Sequence, residues 1–318
     1  MMFKQFILAL CLSAMASLGQ AQTPLKIITT DQPGGGMDAL IRPVAEKLGT
    51  ALGRPVIVEN KPGAQGRLGG QAVVNSAPDG NTVLITVQAG IVINPHVYTW
   101  PYNSLTDLVP VTELGRGSLV LLVPSSLKVN SMKELTQWIT AQPKGSASYA
   151  TYSPGTISHF GGLLLAQDLG VDMMAVHYKA SGDQVKDLVS GIVNMGWGPA
   201  AGSVAQLVKA GRLKALAYMG PKRIPAFPDV PTIREAGHPI VETDGWIGIF
   251  APKGTPTEVV DKLQQEFAKV LSSADTRNMY LNFGFEPGGS TAVEFGKLVK
   301  SDSQKFADYI KKINYKVE

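Results

Sequence analysis

Short runs of apolar and β-branched residues alternate along this chain with stretches in which apolar residues recur at helical spacing. The first run covers residues 25–30, three glycines at 34–36 follow it, and a helical pattern extends from about Asp38. Runs of the first kind predict buried strands, whereas apolar residues at every third and fourth position predict a helix with one buried face. Pro43 lies within this helical pattern and predicts a bend there or a later start.

The same two patterns recur as far as the C-terminal region. Further strands are predicted at residues 55–59, 82–87, 119–123, 148–151, 212–219 and 246–250. Further helices are predicted at residues 131–139, 158–169, 183–191, 256–271 and 292–312. This alternation favours an α/β fold in which mostly parallel sheets are covered by helices.

The length of the chain is sufficient for two domains. Its 318 residues are 44% hydrophobic, which is enough apolar material for more than one buried core. The last two predicted helices have no strands of their own to cover, so we expect them to return to the first sheet. The sequence therefore predicts a first domain formed by residues 22–124 and 241–318, with a second domain, residues 125–240, inserted between its two parts.

The first 21 residues have the features of an export signal. Lys4 precedes an apolar stretch at 6–18, and small residues at 19–21 fit cleavage before Gln22. A membrane anchor is the alternative, but the apolar stretch is too short to cross about 30 Å of hydrocarbon. The single cysteine, Cys11, lies inside this segment, so the mature chain would have no disulfide. We expect a periplasmic protein that folds through its core alone.

Composition and charge exclude several classes of function. The 29 Lys and Arg barely outnumber the 25 Asp and Glu, and no basic run is interleaved with aromatic residues, so we expect no nucleic-acid partner. The four histidines lack metal-ligand spacing, and we expect neither a metal nor a cofactor. Ser158 and His159 are adjacent, but neighbours on a helix point about 100° apart and do not easily share a proton. The sequence therefore indicates no catalytic residue.

One motif favours an enzyme instead. Residues 34–39 fit G-x-G-x-x-A between a strand and a helix, and Glu59 ends the next strand, where a ribose-binding acid would lie in a dinucleotide site. The export signal argues against this alternative, because nicotinamide cofactors belong to the cytosol and the leader has no twin-arginine pair.

The glycine turn has a broader use in binding anions. A glycine turn that opens a helix aims free N–H groups at a phosphate or a carboxylate. Two further small, hydroxyl-bearing turns, at residues 152–158 and 178–183, precede predicted helices. If these three helix starts converge, they form a cleft for an anionic ligand. The alternative is that the hydroxyls of these turns are ordinary N-caps of their own helices.

Several motifs in this chain resemble those of the Bug family of periplasmic solute-binding proteins, the capture components of tripartite tricarboxylate transporters. The resemblance extends from about residue 24 to the end, with the motifs in the family's order. They are GGxxD at 34–38 with Arg42, VENKPGAxG at 58–66, PDG at 78–80, SPGTxSH at 153–159, KR at 222–223 with PDVPT at 228–232, and WxGxFAPxGTP at 246–256.

This resemblance implies a two-domain periplasmic-binding-protein fold of type II with a cleft between the lobes. Such a protein closes on a small carboxylate and delivers it to a membrane permease of two subunits; we expect a monomer. A carboxylate sensor would require the same closure and is the alternative. The ligand-binding residues that the resemblance implies are Gly35, Gly36, Met37, Ser153, Thr156, Ser158, Ala180, Ser181 and Gly182. Gln88, after the third strand, is a further candidate.

Three positions depart from the family pattern. Met37 stands where a small hydroxyl residue is usual, Ala180 where glycine is usual, and His177 where proline is common. A methionine in the cleft would contact an apolar or aromatic part of a ligand, and Trp197 and Tyr152 could do the same; the alternative is that Met37 and Trp197 are core residues. We therefore predict a dicarboxylate with an apolar or aromatic spacer, with citrate-like or amino-acid ligands as alternatives. The hinge is expected near residues 123–124 and 242–245.

Overall fold

Two β-sheets organise the protein. The computed structural model describes residues 23–152, 154–178, 181–312 and 315, so the predicted export signal and Cys11 lie outside the described residues. The strands are β1 Leu25–Thr29, β2 Val56–Asn60, β3 Thr82–Val87, β4 Leu108–Gly117, β5 Leu119–Pro124, β6 Ser148–Thr151, β7 Met174–His177, β8 Met195–Pro199, β9 Leu213–Tyr218, β10 Gly245–Pro252 and β11 Glu286–Pro287. They form a six-stranded sheet, β11-β4-β10-β3-β1-β2, and a five-stranded sheet, β7-β6-β8-β5-β9.

Helices connect and cover these strands. They are α1 Gly36–Leu52, α2 Arg67–Val74, α3 Asn94–Val97, α4 Met132–Thr140, α5 Ile157–Leu169, α6 Ser181–Ser190, α7 Gly202–Lys209, α8 Thr257–Ser272, α9 Ala274–Asn282 and α10 Ala292–Lys312. Every strand and helix that the sequence predicted is present, with bounds within two residues of the prediction. The pattern did not predict β4, β7, β8, β11, α2, α3, α7 or α9. Within the described ranges, no helix is both long and apolar enough to cross a bilayer.

Helix α1 follows the predicted apolar spacing. Leu40, Ile41, Val44 and Leu48 are all buried on one face of the helix. The helix begins at Gly36 and continues through Pro43, so Pro43 neither delays its start nor ends it. The sequence pattern therefore located this helix correctly, and of the two effects predicted for Pro43 the later start was wrong.

The sheets are mixed, which corrects the prediction that they are mostly parallel. Strand β1 is parallel to β2 and β3, whereas β10 is antiparallel to β3 and β4. In the second sheet β6 is parallel to β7 and β8, and β5 is antiparallel to β8 and β9. Parallel neighbours need a crossover, usually a helix. Strand β5 instead enters its sheet directly from β4, without a helix between them.

The chain passes between the two sheets at two adjacent segments. Ser118 alone separates β4 of the first sheet from β5 of the second, so residues 119–124 belong to the second sheet and not, as the sequence suggested, to the first domain. The chain returns at residues 243–245, inside the range predicted for this crossing. The Ser118 hydroxyl donates to the Thr243 carbonyl at 2.6 Å, and Gly117 pairs with Gly245. The two chain crossings therefore lie side by side.

Helix α10 contacts both lobes. Phe295 near its start packs edge-on against Trp246 of β10, with ring centroids 5.0 Å apart. Phe306, three turns later, packs edge-on against Phe160 of α5 in the second lobe, at 5.5 Å. All four side chains are buried in one continuous apolar core. The C-terminal helix therefore packs against both lobes.

Candidate functional site

A cavity of about 460 Å³ lies between the two lobes. From the first lobe it is lined by the loop from β1 into α1 (30–37), by the turn at 62–66 and by residues that follow β3 (87–94). From the second lobe it is lined by the turn at 154–156, which precedes α5. The cavity is thus bounded by two of the three helix-opening turns that the sequence singled out.

A smaller compartment of about 230 Å³ adjoins this cavity on the side of the lobe connection. It is lined by Ser118 and Gly245 of the crossing segments and by Tyr152 of the second lobe. Both compartments share Thr156 and Phe283, so they lie side by side. A ligand that fills them would contact both lobes close to the segments where the chain crosses between them.

The start of α1 is occupied by a carboxylate of the protein itself. Asp31 Oδ2 accepts hydrogen bonds from the backbone N–H of Met37 at 2.9 Å and of Asp38 at 3.4 Å. Its Oδ1 accepts from the backbone N–H of Gln32 at 2.9 Å. A Cβ at Gly35 would collide with this carboxylate, so the glycine makes room for it. The sequence predicted that the amides of this turn are free for a ligand, and for Met37 this was wrong.

The spacing of the first motif is explained by a second carboxylate, which fixes the loop. Asp38 is 3% exposed and accepts from the Gly34 N–H at 2.9 Å, and from Nε and Nη2 of Arg42, both at 2.8 Å. Asn60 of the second motif donates through Nδ2 to Asp38 Oδ1 at 2.7 Å, the same oxygen that accepts from Arg42 Nη2. The hydrogen bonds from Arg42, above all, lower the pKa of Asp38 to about 2. Asp38 is therefore a structural anion that stays charged in ordinary buffers.

On the opposite wall, the Ser158 hydroxyl makes its hydrogen bonds to other groups of the protein. Its side chain is fully buried, and its Oγ accepts from the Tyr152 N–H at 3.1 Å. The same oxygen lies 2.9 Å from the hydroxyl oxygens of Thr151 and Thr156. Thr156 itself lines both compartments. The structure therefore gives Ser158 the role of holding its own turn, and leaves Thr156 as the described hydroxyl residue of this turn that lines the cavity.

His159 supports the same turn from behind. Its Nδ1 accepts from the Gly155 N–H at 3.2 Å, which requires an unprotonated nitrogen at that position. Burial, with a smaller contribution from the charge of His177, lowers the pKa of His159 to about 4. Its ring is thus neutral near pH 7 and turned toward Gly155, and the described contacts of the Ser158 hydroxyl form no dyad with it.

The other predicted site residues have different positions. Gly36 and Met37 line the larger cavity, and Gln88 lines the smaller compartment. The Gln88 amide is directed inward, because its Nε2 donates to buried Asp302 at 2.8 Å. Ser153 and Ala180 lie outside the described residues. Ser181 and Gly182 begin α6, and Gly182 is exposed.

The aromatic wall of the cleft differs from the predicted one. Trp197 is fully buried in the core of the second lobe and lines neither compartment, so of the two positions that the sequence left open it has the one in the core. Tyr152 lines the smaller compartment, and Phe283 and Phe285 line both. These two phenylalanines follow α9, a short helix with weak apolar periodicity. The sequence offered no pattern that would have placed them at the cleft.

Asp31 is the only charged residue among the described residues that line the two compartments. It fills the helix start where the pyrophosphate of a dinucleotide would lie, which argues against the G-x-G-x-x-A motif as a cofactor site. Within the described ranges there is also no cluster of three or more His, Cys, Asp or Glu side chains arranged to hold a metal.

The sequence is similar to a known protein family and to curated proteins. The family model described as the tripartite tricarboxylate transporter family receptor matches residues 40–315. The protein BugT of Bordetella pertussis is 31% identical over 305 residues, which cover 93% of this chain and 90% of BugT. The resemblance to the Bug family that the motifs indicated is thereby confirmed.

Solved structures share the fold. One described as a periplasmic transporter matches with a TM-score of 0.82 at 31% identity, covering 94% of this chain and all of the other. An R. palustris protein solved with adipate matches with a TM-score of 0.81 at 29% identity, covering 92% of this chain and 98% of that one. The two-lobed periplasmic-binding fold is thereby confirmed. The chain belongs to the tripartite tricarboxylate transporter receptor family, whose members are periplasmic solute-binding receptors and not enzymes.

Proposed function

We propose that this protein captures a small carboxylate with an apolar or aromatic middle section and delivers it to a membrane permease. In this proposal residues 1–21 direct export to the periplasm and are cleaved before Gln22, and the mature protein acts as a monomer. The observation that carries the proposal is the cavity between the lobes, lined on both sides by helix-opening turns. The adipate-bound relative supports a carboxylate ligand.

The carboxylate is assigned to the start of α5. This helix has 13 residues and no acidic residue in its first turn. An anion at a helix N-terminus gains about 0.3–2 kcal/mol from the helix dipole, and charge-assisted hydrogen bonds add to this. Thr156 is the described side chain placed to contact it. Ser153, Ala180, Ser181 and Gly182 remain proposed contacts on the same wall.

The middle of the ligand is assigned to the apolar side chains of the first lobe. Val87 is 43% exposed and Phe283 39% exposed, although both are large and apolar. They lie beside Ile247 and Met37 in the larger cavity. Covering such surface contributes about 25 cal/mol per Å² of apolar area. These side chains therefore favour a ligand with a hydrocarbon or aromatic section over a compact, fully polar one such as citrate.

Closure is assigned to the two crossing segments, 117–119 and 243–245. A ligand stabilises the closed state only through contacts that the open state lacks. The hydrogen bond from Ser118 to Thr243 joins the segments, so they would move together. A ligand too short to reach both lobes would bind weakly and leave the protein open.

The proposal is tested by calorimetry and thermal-shift measurements on the chain from Gln22, titrated with carboxylates of varied length and ring content. We expect several to bind, with affinity rising when a hydrocarbon or ring lies between polar ends, and small-angle scattering to show compaction. Phe283→Ala should weaken binding of the best ligand about tenfold, which corresponds to about 1.4 kcal/mol. Leu281→Ala is the matched control, since Leu281 lies two residues earlier, is 42% exposed and lines a different cavity. Absence of binding by every carboxylate would refute the proposal.

A further inference from the structure

The first-lobe wall of the cleft has a negative charge that no described neighbour in the cleft balances. Asp31 lines the larger cavity, and no Lys, Arg or His is among the described residues that line either compartment. Arg42 of α1, the helix that follows Asp31, is bound to Asp38 and Asn60 instead. A second ligand carboxylate placed against this wall would meet a like charge, and like charges in a partly desolvated site repel each other strongly.

The Asp31 carboxylate retains capacity for a ligand donor. Its oxygens accept three backbone N–H groups, from Gln32, Met37 and Asp38. An ionised carboxylate offers about four lone-pair positions, so one remains for a donor from the cavity. The same three bonds fix the carboxylate in place, which reduces the entropy lost when a ligand binds to it.

Asn94 contributes a second acceptor, independent of Asp31. It is 5% exposed and lines the same cavity, and its Oδ1 has no hydrogen-bond partner among the described residues. Its Nδ2 donates to the Gln65 carbonyl at 3.4 Å, which fixes the orientation of the amide and leaves the oxygen on the other side. That oxygen faces Gly155 of the opposite wall, where a Cβ would collide with it. A buried acceptor without a donor destabilises the protein, and a donor on the ligand would remove that cost.

We infer that the ligand has a cationic nitrogen at the end opposite its carboxylate, and that this nitrogen binds between Asp31 and Asn94. This inference rests on the proposed function and changes the chemistry expected at one end of the site: a carboxylate at the start of α5 and an ammonium group at the start of α1. The two walls then match a zwitterion with an apolar middle section and disfavour a symmetric diacid.

The test uses two matched pairs of probes. Adipate is compared with 6-aminohexanoate, and terephthalate with 4-(aminomethyl)benzoate, so that within each pair only one end changes from carboxylate to ammonium. We expect the wild-type protein to bind the amine of each pair about tenfold more tightly by calorimetry. Asp31→Asn should weaken binding of the amines about tenfold and leave the diacids equal or tighter. Asn retains the oxygen that accepts from Met37, so α1 should remain folded.

Controls and alternative outcomes separate this inference from the proposed function. Asp79→Asn is the control, because Asp79 is exposed and, like Asp31, accepts a hydrogen bond from a backbone N–H of its own turn, that of Asn81. This variant should leave all four affinities unchanged. Asn94→Leu provides a second variant and should weaken the amines more than the diacids. If the diacids bind the wild-type protein more tightly, and Asp31→Asn leaves the ratio unchanged, the inference fails while carboxylate capture stands. If none of the four probes binds, both fail.

Discussion

On each wall of the cleft a helix begins after a glycine-containing turn, but the backbone N–H groups of the two turns bond to different kinds of partner. At α1 a carboxylate, Asp31, accepts the first amides of the helix. At α5 the partners are neutral: the hydroxyls of Thr151, Thr156 and Ser158 bind one another, and a neutral His159 ring accepts from Gly155. One wall is therefore negative at its surface, while the other keeps the positive end of its helix dipole. A glycine turn before a helix locates a site, but the residues around the turn set its charge.

The largest expected effect is a loss of stability at low pH that affects the α5 wall and not the α1 wall. His159 has a pKa of about 4 in the folded protein and about 6.5 when unfolded, so the unfolded chain binds the proton first. The stability that its neutral ring supplies is fully present above pH 6.5 and is lost as the pH falls toward 4. The loss is on the order of 3 kcal/mol. Asp38, with a pKa of about 2, keeps its charge across this range, so the α1 wall should remain intact.

Urea unfolding at pH 7 and pH 4 measures this effect, with His159→Leu as the comparison. The variant should be less stable than the wild type at pH 7, because Gly155 loses an acceptor, but its stability should fall less between the two pH values. Hydrogen exchange at pH 4 should increase first at residues 155–158. Equal pH dependence in both proteins would show that the His159 ring does not titrate in this range.

The next effect concerns the α1 wall. Asp38→Ala removes the acceptor for Gly34, Arg42 and Asn60, and we expect a loss of about 2 kcal/mol in unfolding free energy. The matched control is Glu266→Ala, which breaks an i,i+3 pair with exposed Lys269 on α8 and should cost about 0.5 kcal/mol. Thermal and urea unfolding of both variants measure the difference. Equal losses would mean that the Asp38 network adds nothing beyond an ordinary surface pair.

The fold was largely predictable from sequence, because its strands and helices have strong local patterns. Strand β4 was missed because its ten residues, 108–117, mix apolar positions with Thr112, Glu113 and Arg116. Those polar groups find partners that no local pattern reveals; Glu113, for example, binds Arg116 three residues later, and Arg116 also binds Asp244 of the second crossing. The boundary at residue 124 was misplaced for a related reason, since a strand's sequence does not say which sheet it joins.

The site was less predictable than the fold. The motifs identified both helix-opening turns, and Met37, which the sequence offered as an apolar contact, lines the larger cavity. The role of Asp31 depends on a side chain reaching six residues along the chain to Met37. The positions of Phe283 and Asn94 depend on packing between segments far apart in sequence. Charge and shape at the cleft are therefore tertiary properties, whereas its location follows from local turns.

The smallest expected effect distinguishes a residue that holds the α5 turn from one that touches the ligand. Ser158→Ala leaves the Tyr152 N–H without its acceptor inside the protein, so unfolding free energy should fall by about 1 kcal/mol. Because Ser158 is fully buried, affinity for adipate and 6-aminohexanoate should change less than about threefold. Thr156→Ala is the matched comparison: because Thr156 lines both compartments and its hydroxyl lies 2.9 Å from that of Ser158, it should weaken ligand binding as well as lower stability. If Ser158→Ala weakened ligand binding about tenfold at unchanged stability, its hydroxyl would belong to the binding surface, and the two walls would differ less than their hydrogen bonds indicate.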